Sequence, residues 1–259
     1  MIDLSIVIPS RSEPYLQKTI EDILEHSKES IEVLVGLDGE QFPFLYLDER
    51  VDCIAAPQVV GQRSMTNLLV ELSKGKYIFK VDAHCSFSQG FDRTLLEQMD
   101  DKTILAPMLL PLYGESWSIN GKKQMKQFAF DSNLVMQHVE GEAGETMCLQ
   151  GSAWMVSKEN YYNWNLGDES LGSWGGQGTE LGVKAFLNGG RCMTTDKAYY
   201  GHVFRHGDSD FPYDRGDNPG KYANEQLKER YLNKSLMPLI EKFGFLCDWR
   251  ENISKIEGK

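Results

Sequence analysis

The feature that most constrains this chain lies within its first forty residues. Leu4 to Pro9 reads L-S-I-V-I-P, a near-continuous apolar strand, and Ser10-Arg11-Ser12-Glu13-Pro14 breaks it before an amphipathic helix from about Tyr15 to Ser27. Ile31 to Leu37 then repeats the apolar pattern, with Asp38-Gly39 at its end. Strand, helix and strand in so short a span predict a βαβ unit with a right-handed crossover. Val51 to Ala55, a helix over Gly61 to Leu72 and a strand over Tyr77 to Val81 extend it, as in a nucleotide-binding half-domain. Ligands of such a sheet sit at the carboxyl ends of its strands.

The last of these strands carries the most pointed chemistry. Tyr77 to Cys85 reads Y-I-F-K-V-D-A-H-C, and Asp82 and His84, two apart on an extended chain, face the same way. A carboxylate and an imidazole suit Mn²⁺ or Mg²⁺, with water and phosphate oxygens completing the shell, better than a structural zinc. By itself a D-x-H is more often a capped turn with a satisfied histidine, so a third ligand has to come from elsewhere. No G-x-G-x-x-G follows the first strand and no G-x-x-x-x-G-K-S/T occurs, which excludes a dinucleotide fingerprint and a P-loop.

Composition narrows the function classes. A net charge of -11 disfavours a general polyanion-binding surface, and the basic groups Lys122, Lys123 and Lys126, and Lys221, Lys228, Arg230 and Lys234, read as solvated faces. Five cysteines without a C-x-x-C pair indicate neither a disulfide framework nor a thiolate zinc site. No apolar run approaches a membrane span, and Met1-Ile2-Asp3 leads directly into a strand, so a cytoplasmic protein is expected. His26 and His138 stand apart from any motif and read as ordinary residues.

The second half supplies three more pieces in order: a strand over Gly151 to Ser157, a helix opened by Trp174-Gly175-Gly176-Gln177-Gly178-Thr179-Glu180 and closed by Gly189-Gly190, and Gly201-His202-Val203-Phe204-Arg205. With I-V-I-P-S-R-S-E at Ile6 to Glu13, E-V-L-V-G-L-D-G at Glu32 to Gly39 and Asp82-Ala83-His84, these resemble GT-A glycosyltransferases of family 2. They are most similar to the catalytic domain of polypeptide N-acetylgalactosaminyltransferases, over roughly Ile6 to Arg205. The resemblance implies an α/β GT-A fold, a mixed, mostly parallel sheet flanked by helices. It also implies a UDP-sugar donor, and a metal held by Asp82, His84 and His202. Pro9, Ser10, Arg11, Glu13, Asp38 (on the uracil edge), Arg63, Asp82, Ala83, Trp174 (a sugar platform), Gly175 and Gly176 are the expected donor-binding residues, and Gln177, Glu180 and Arg205 the expected catalytic ones.

Where that family has Glu-Asn this chain has Gln177-Gly178, so sugar identity does not carry over. Gly178 stands where inverting enzymes of the fold place their base, which favours a retaining transfer; Glu180 alone keeps an inverting route open. The chain reads as a catalytic domain over 1–220, with a nucleotide-binding half over about 1–100, an acceptor and sugar half over about 101–206 and a Gly/Pro/Asp-rich lid over about 207–220. A helix from about Tyr222 to Phe243 and a tail follow over 221–259. The acceptor stays open among a peptide Ser or Thr, a glycan and a hydroxymethylated base in viral DNA, and the short form suggests a phage or bacterial relative. The other classes are a nucleotide-sugar-binding or nucleotidyltransferase protein and an inactive relative acting as a binding subunit.

Overall fold

A computed structural model describes residues 2–39, 48–205, 213, 219–253 and 256. Its first half comprises β1 (Leu4–Ser10), α1 (Leu16–His26), β2 (Ile31–Asp38), β3 (Val51–Ala56), α2 (Gln62–Leu72), β4 (Tyr77–Val81), β5 (Cys85–Phe87) and α3 (Phe91–Leu96). There follow β6 (Thr103–Tyr113), β7 (Ser118–Ile119), β8 (Gln127–Phe130), β9 (Met136–Val139), β10 (Glu145–Thr146) and β11 (Ala153–Ser157). The remainder is α4 (Lys158–Asn163), α5 (Gln177–Leu187), β12 (Arg191–His202), α6 (Pro219–Tyr231), α7 (Met237–Phe243) and α8 (Trp249–Asn252).

One ten-stranded sheet runs through both halves in the order β10-β12-β6-β11-β4-β1-β2-β3, with β5 on β12 and β7 on β6. β4, β1, β2 and β3 are parallel, β11 is antiparallel to β4 and β6, and β12 is parallel to β6. β1 and β2 are buried along their whole length because helices cover both faces, which is why they read as unbroken apolar runs. The alternation still sorts side chains: Ile6, Ile8, Val33, Val35, Phe79 and Val81 join one core cluster, while Val7, Leu34 and Ile78 join another with Trp154 and Val156.

The chain moves outward from β1 to β2 to β3 and then returns to the other side of β1 as β4. The connections leaving β1 and β4 therefore diverge, and a crevice opens between their carboxyl ends, where α/β sheets bind ligands. α1 fixes the segment just past β4. Thr19 Oγ1 accepts from the Cys85 amide at 3.0 Å, and Asp22 accepts from Ser86 Oγ and the Phe87 amide, each at 2.7 Å.

Three boundaries differ from the sequence reading. The strand expected from Gly151 begins at Ala153, after a turn. α5 starts at Gln177 rather than Trp174, because Gly175 (φ +96°) and Gly176 (φ +63°) adopt left-handed conformations that no helix continues. The helix expected over Tyr222 to Phe243 is two: α6 ends at Tyr231, Asn233 caps a short 3₁₀ turn by accepting from the Ser235 amide, and Pro238 opens α7. The lid expected over 207–220 lies outside the described residues except for Tyr213 and the first turn of α6. Among the described residues no helix is long and apolar enough to cross a membrane.

The glycine at 178 has a packing cause. A Cβ there would stand 1.9 Å from Leu149 O, and one on Gly182, a turn later, 2.3 Å from Met147 O, so α5 lies directly on the backbone of 147–149. Gly178→Ala is expected to destabilise the protein by about 3 kcal/mol, at the upper end of overpacking costs because the obstacle is backbone. A urea titration checks it, and an unchanged midpoint would contradict the packing.

Candidate active site

Asp82 and His84 leave the end of β4, and the third member of the cluster arrives from far along the chain. β12 pairs antiparallel with β5 so that His202 stands opposite Cys85, and the Val203 amide donates to His84 O at 3.2 Å. The rings of His84 and His202 lie 4.7 Å apart, and one ligand atom from each of Asp82, His84 and His202 falls within 4.8 Å of the others. The structure thus brings together the three residues expected to hold a metal.

Burial pushes His202 down to about 4, with the Asp82 carboxylate opposing, so its imidazole is neutral at pH 7. Both its ring nitrogens are buried without a hydrogen-bond partner among the described residues, and Nε2 stands 3.4 Å from Asp82 Oδ2. Burial resists ionisation of Asp82 too, yet the Lys80 ammonium and the two imidazoles hold its carboxyl well below the usual carboxylate range. His84 directs Nδ1 to Glu13 Oε2 at 3.1 Å, which leaves Nε2 for a ligand. An orphaned neutral imidazole, an ionised carboxylate and an oriented second imidazole fit a divalent cation.

Glu13 has a different part from the donor contact expected of it. Its carboxylate joins His84 to Arg205, whose Nη2 lies 2.6 Å from Oε1 and also meets Oε2. Burial alone would raise its pKa, but the His84 hydrogen bond and the charges of His84 and Arg205 lower it. Arg205 lines the cavity with its guanidinium committed to Glu13, so it supports the cluster through that carboxylate. Carboxylate partners of metal-binding histidines typically matter tenfold to a hundredfold. Glu13→Gln is accordingly expected to weaken Mn²⁺ binding about tenfold or more, as read by calorimetry; unaltered affinity would remove Glu13 from the support of His84.

These residues edge a cavity of about 520 Å³, within the range of small-molecule sites. Of the residues singled out in the sequence, Pro9, Ser10, Arg11, Glu13, Asp38, Asp82, Ala83, His84, Trp174, His202 and Arg205 line it. Asp38 does so with its carboxylate accepting from the Val60 and Gly61 amides, at 2.6 and 3.0 Å, and thereby sets the entry to α2. Tyr213 closes over Arg11, its ring centroid 4.6 Å from the guanidinium carbon.

Five expected site residues lie elsewhere. Arg63 does not reach into the cavity: it is 1% exposed, donating to Gly172 O and Gly175 O and pairing at 3.1 Å with Glu180, which is equally buried. Glu180 also accepts from Lys184 at 2.7 Å and from the Asp168 amide at 3.1 Å, so it is no free base. Together Arg63, Glu180 and Lys184 pin the segment 165–176 that carries Trp174 to the cavity wall. Gly175 and Gly176 form the turn of that segment, and Gln177 is buried beside Gly151. Residues that the sequence reading passed over include Gln62, Gln150 and, beneath the floor, Lys80. The signal for Lys80 was visible, a lysine in the middle of an apolar strand.

Parallel strands opening onto a D-x-H and a remote histidine define a GT-A type of glycosyltransferase. The sequence profile of Glycosyl transferase family 2 matches residues 5–161, more than half of the chain, and the protein belongs to that family. Among curated proteins it is 26% identical over 268 residues to the putative polypeptide N-acetylgalactosaminyltransferase 13 of Drosophila melanogaster, covering 90% of this chain and 46% of that one. It is 21% identical over 281 residues to the probable N-acetylgalactosaminyltransferase 6 of Caenorhabditis elegans, covering 97% and 43%. The chain thus spans less than half the length of these relatives, which are animal proteins and lend no support to a phage or bacterial source. In fold it is similar to GalNAc-T7, solved with UDP, GalNAc and Mn²⁺ (TM-score 0.74, 17% identity, 88% of this chain and 48% of that one). It is also similar to S. aureus TarS 1–349 in complex with UDP-GlcNAc (TM-score 0.55, 16% identity, 82% and 62%). Family membership replaces the nucleotidyltransferase alternative.

Proposed function

We infer that this glycosyltransferase is metal-dependent, takes a UDP-sugar and transfers the sugar to an acceptor hydroxyl with retention of configuration. The observation that carries the reading is the convergence of Asp82, His84 and the unpartnered nitrogens of His202 at the carboxyl edge of the sheet. Those three residues would hold Mn²⁺ or Mg²⁺, which when bound neutralises charge on the departing diphosphate. UDP is supported by the solved relatives that hold UDP or UDP-GlcNAc. Ser10 Oγ, buried on the cavity wall without a partner, offers a hydrogen bond to the nucleotide.

Retention is supported by the state of the carboxylates. Glu13, Asp38 and Asp82 line the described cavity and each is committed, Glu13 to His84 and Arg205, Asp38 to two backbone amides, and Asp82 to Lys80 and the metal cluster. Glu180 is locked in its ion pairs, and position 178 has no room for a side chain. On this reading the bond from the anomeric carbon to the phosphate oxygen breaks, its electron pair leaving with that oxygen, as the bond to the acceptor oxygen forms on the same face, and the acceptor proton passes to the departing phosphate oxygen. A peptide Ser or Thr is the acceptor that the names of the animal relatives support, and the net charge of -11 speaks against DNA. Residues 1–220 would supply the catalytic domain.

The test is incubation with Mn²⁺, a panel of UDP-sugars and a Ser/Thr-rich peptide, with the product's anomeric coupling read by NMR. Consumption of one UDP-sugar with the donor's α configuration kept is the expected result. A β-linked product would overturn retention, and no consumption of any of these UDP-sugars would overturn the UDP-sugar transfer inferred for this chain.

A further inference from the structure

Lys80 is fully buried in β4, between Val7 of β1 and Trp154 of β11 in register. On that face of the strand Ile78 is core and Asp82 is a candidate metal ligand, so the lysine runs beneath the cluster from inside the sheet. Its ammonium has two partners, Asp82 Oδ1 and, at 2.8 Å, Gly151 O. Gln62 Nε2 donates to the same Oδ1 at 3.2 Å. Asp82 is thereby held by one oxygen, and Oδ2, the oxygen facing His202, is left to the ligand.

The charge count around the cluster follows from these contacts. Among the described residues around the cavity, Asp82, Glu13 and Asp38 bring three negative charges and Lys80, Arg205 and Arg11 bring three positive ones. Among the described residues, a divalent ion arriving alone meets charges that cancel and an ammonium on Asp82, the carboxylate of the cluster. Arriving with a diphosphate, it meets the negative charge that the protein does not supply.

We propose that Lys80 is a positioning residue that makes metal binding conditional on the donor diphosphate: it fixes Asp82 as a one-oxygen ligand and keeps the site's affinity for a lone divalent cation low. This rests on the metal-site reading above. A purely structural ion pair would have the opposite signature, since losing it would disorder Asp82 and weaken metal binding.

The experiment measures free Mn²⁺ by electron paramagnetic resonance against the whole chain, with and without UDP, for wild type, Lys80→Met and Lys80→Gln. Lys80→Gln keeps a hydrogen-bond donor without the charge and carries the test if the methionine variant does not fold. Wild type is expected to bind Mn²⁺ at least tenfold more tightly with UDP than without it. The variants are expected to bind Mn²⁺ alone at least tenfold more tightly than wild type, with the gain from UDP reduced correspondingly. Equal or weaker binding of Mn²⁺ alone by the folded variants would overturn the role of Lys80 while leaving the metal site standing. Failure of wild type and variants alike to bind Mn²⁺ in either condition would overturn the metal site and this inference with it.

Discussion

Replacing His202 by alanine is expected to lower kcat/KM for sugar transfer by roughly 10²–10³-fold, the scale of losing one preorganised electrostatic contact to a transition state, and to weaken Mn²⁺ binding in parallel. The physical reason is the ring's isolation. Among the described residues its buried nitrogens have no hydrogen-bond partner, and it lies 4.7 Å from the His84 ring. Steady-state kinetics with calorimetry of Mn²⁺ binding checks both effects, and unchanged metal affinity would contradict the assignment. The same residue gives the metal-free protein a pH signature. Its folded value of about 4 lies below the ordinary 6.5, so the unfolded chain binds the proton more readily. The stability that follows is complete above pH 6.5 and is lost as pH falls toward 4, by up to about 3 kcal/mol. Wild type should lose unfolding midpoint through that window, and His202→Ala should lose less.

The second large effect is on stability. Arg63→Ala or Glu180→Ala is expected to cost about 3–5 kcal/mol, because each breaks the fully buried Arg63–Glu180–Lys184 network on one side and leaves its charges unbalanced. The melting temperature should drop on the order of 10 °C. The double variant Arg63→Met/Glu180→Leu should lose less than the sum of the single changes, since it removes both members of the pair and leaves Lys184 with Asp168. Because Arg63 also holds the carbonyls of Gly172 and Gly175 on either side of Trp174, a surviving single variant should show a raised KM for the donor. Additive losses in the double variant would show the pair to be independent of one another.

How much of this was legible beforehand depended on where the determining contacts lie. β1, β2 and β4 could be read because parallel strands buried on both faces leave unbroken apolar runs, and Asp82 and His84 because a strand end puts them on one face. His202 has no such local sign. It reaches the cluster through the pairing of β12 with β5, and only the resemblance carried by Gly201-His202-Val203-Phe204-Arg205 pointed to it. Arg63 and Glu180 were misread for the converse reason: an arginine and a glutamate in the first turns of α2 and α5 look like ligand or surface groups until the two helices meet. Glu13 reads as a donor contact in the sequence, because its link between His84 and Arg205 depends on three separate segments. Gly178 showed as a departure from the family pattern, and its cause, the backbone of Leu149, is tertiary.

The most direct test of the central claim is the thermal shift produced by UDP in wild type and Asp82→Asn, each with Mn²⁺ and with chelator. Specific binding raises the melting temperature by linkage. UDP is expected to stabilise wild type when Mn²⁺ is present, to do so far less in chelator, and to lose its metal-dependent effect in Asp82→Asn. An equal shift in chelator, or a full Mn²⁺-dependent shift in Asp82→Asn, would contradict a diphosphate held through an ion on Asp82, His84 and His202.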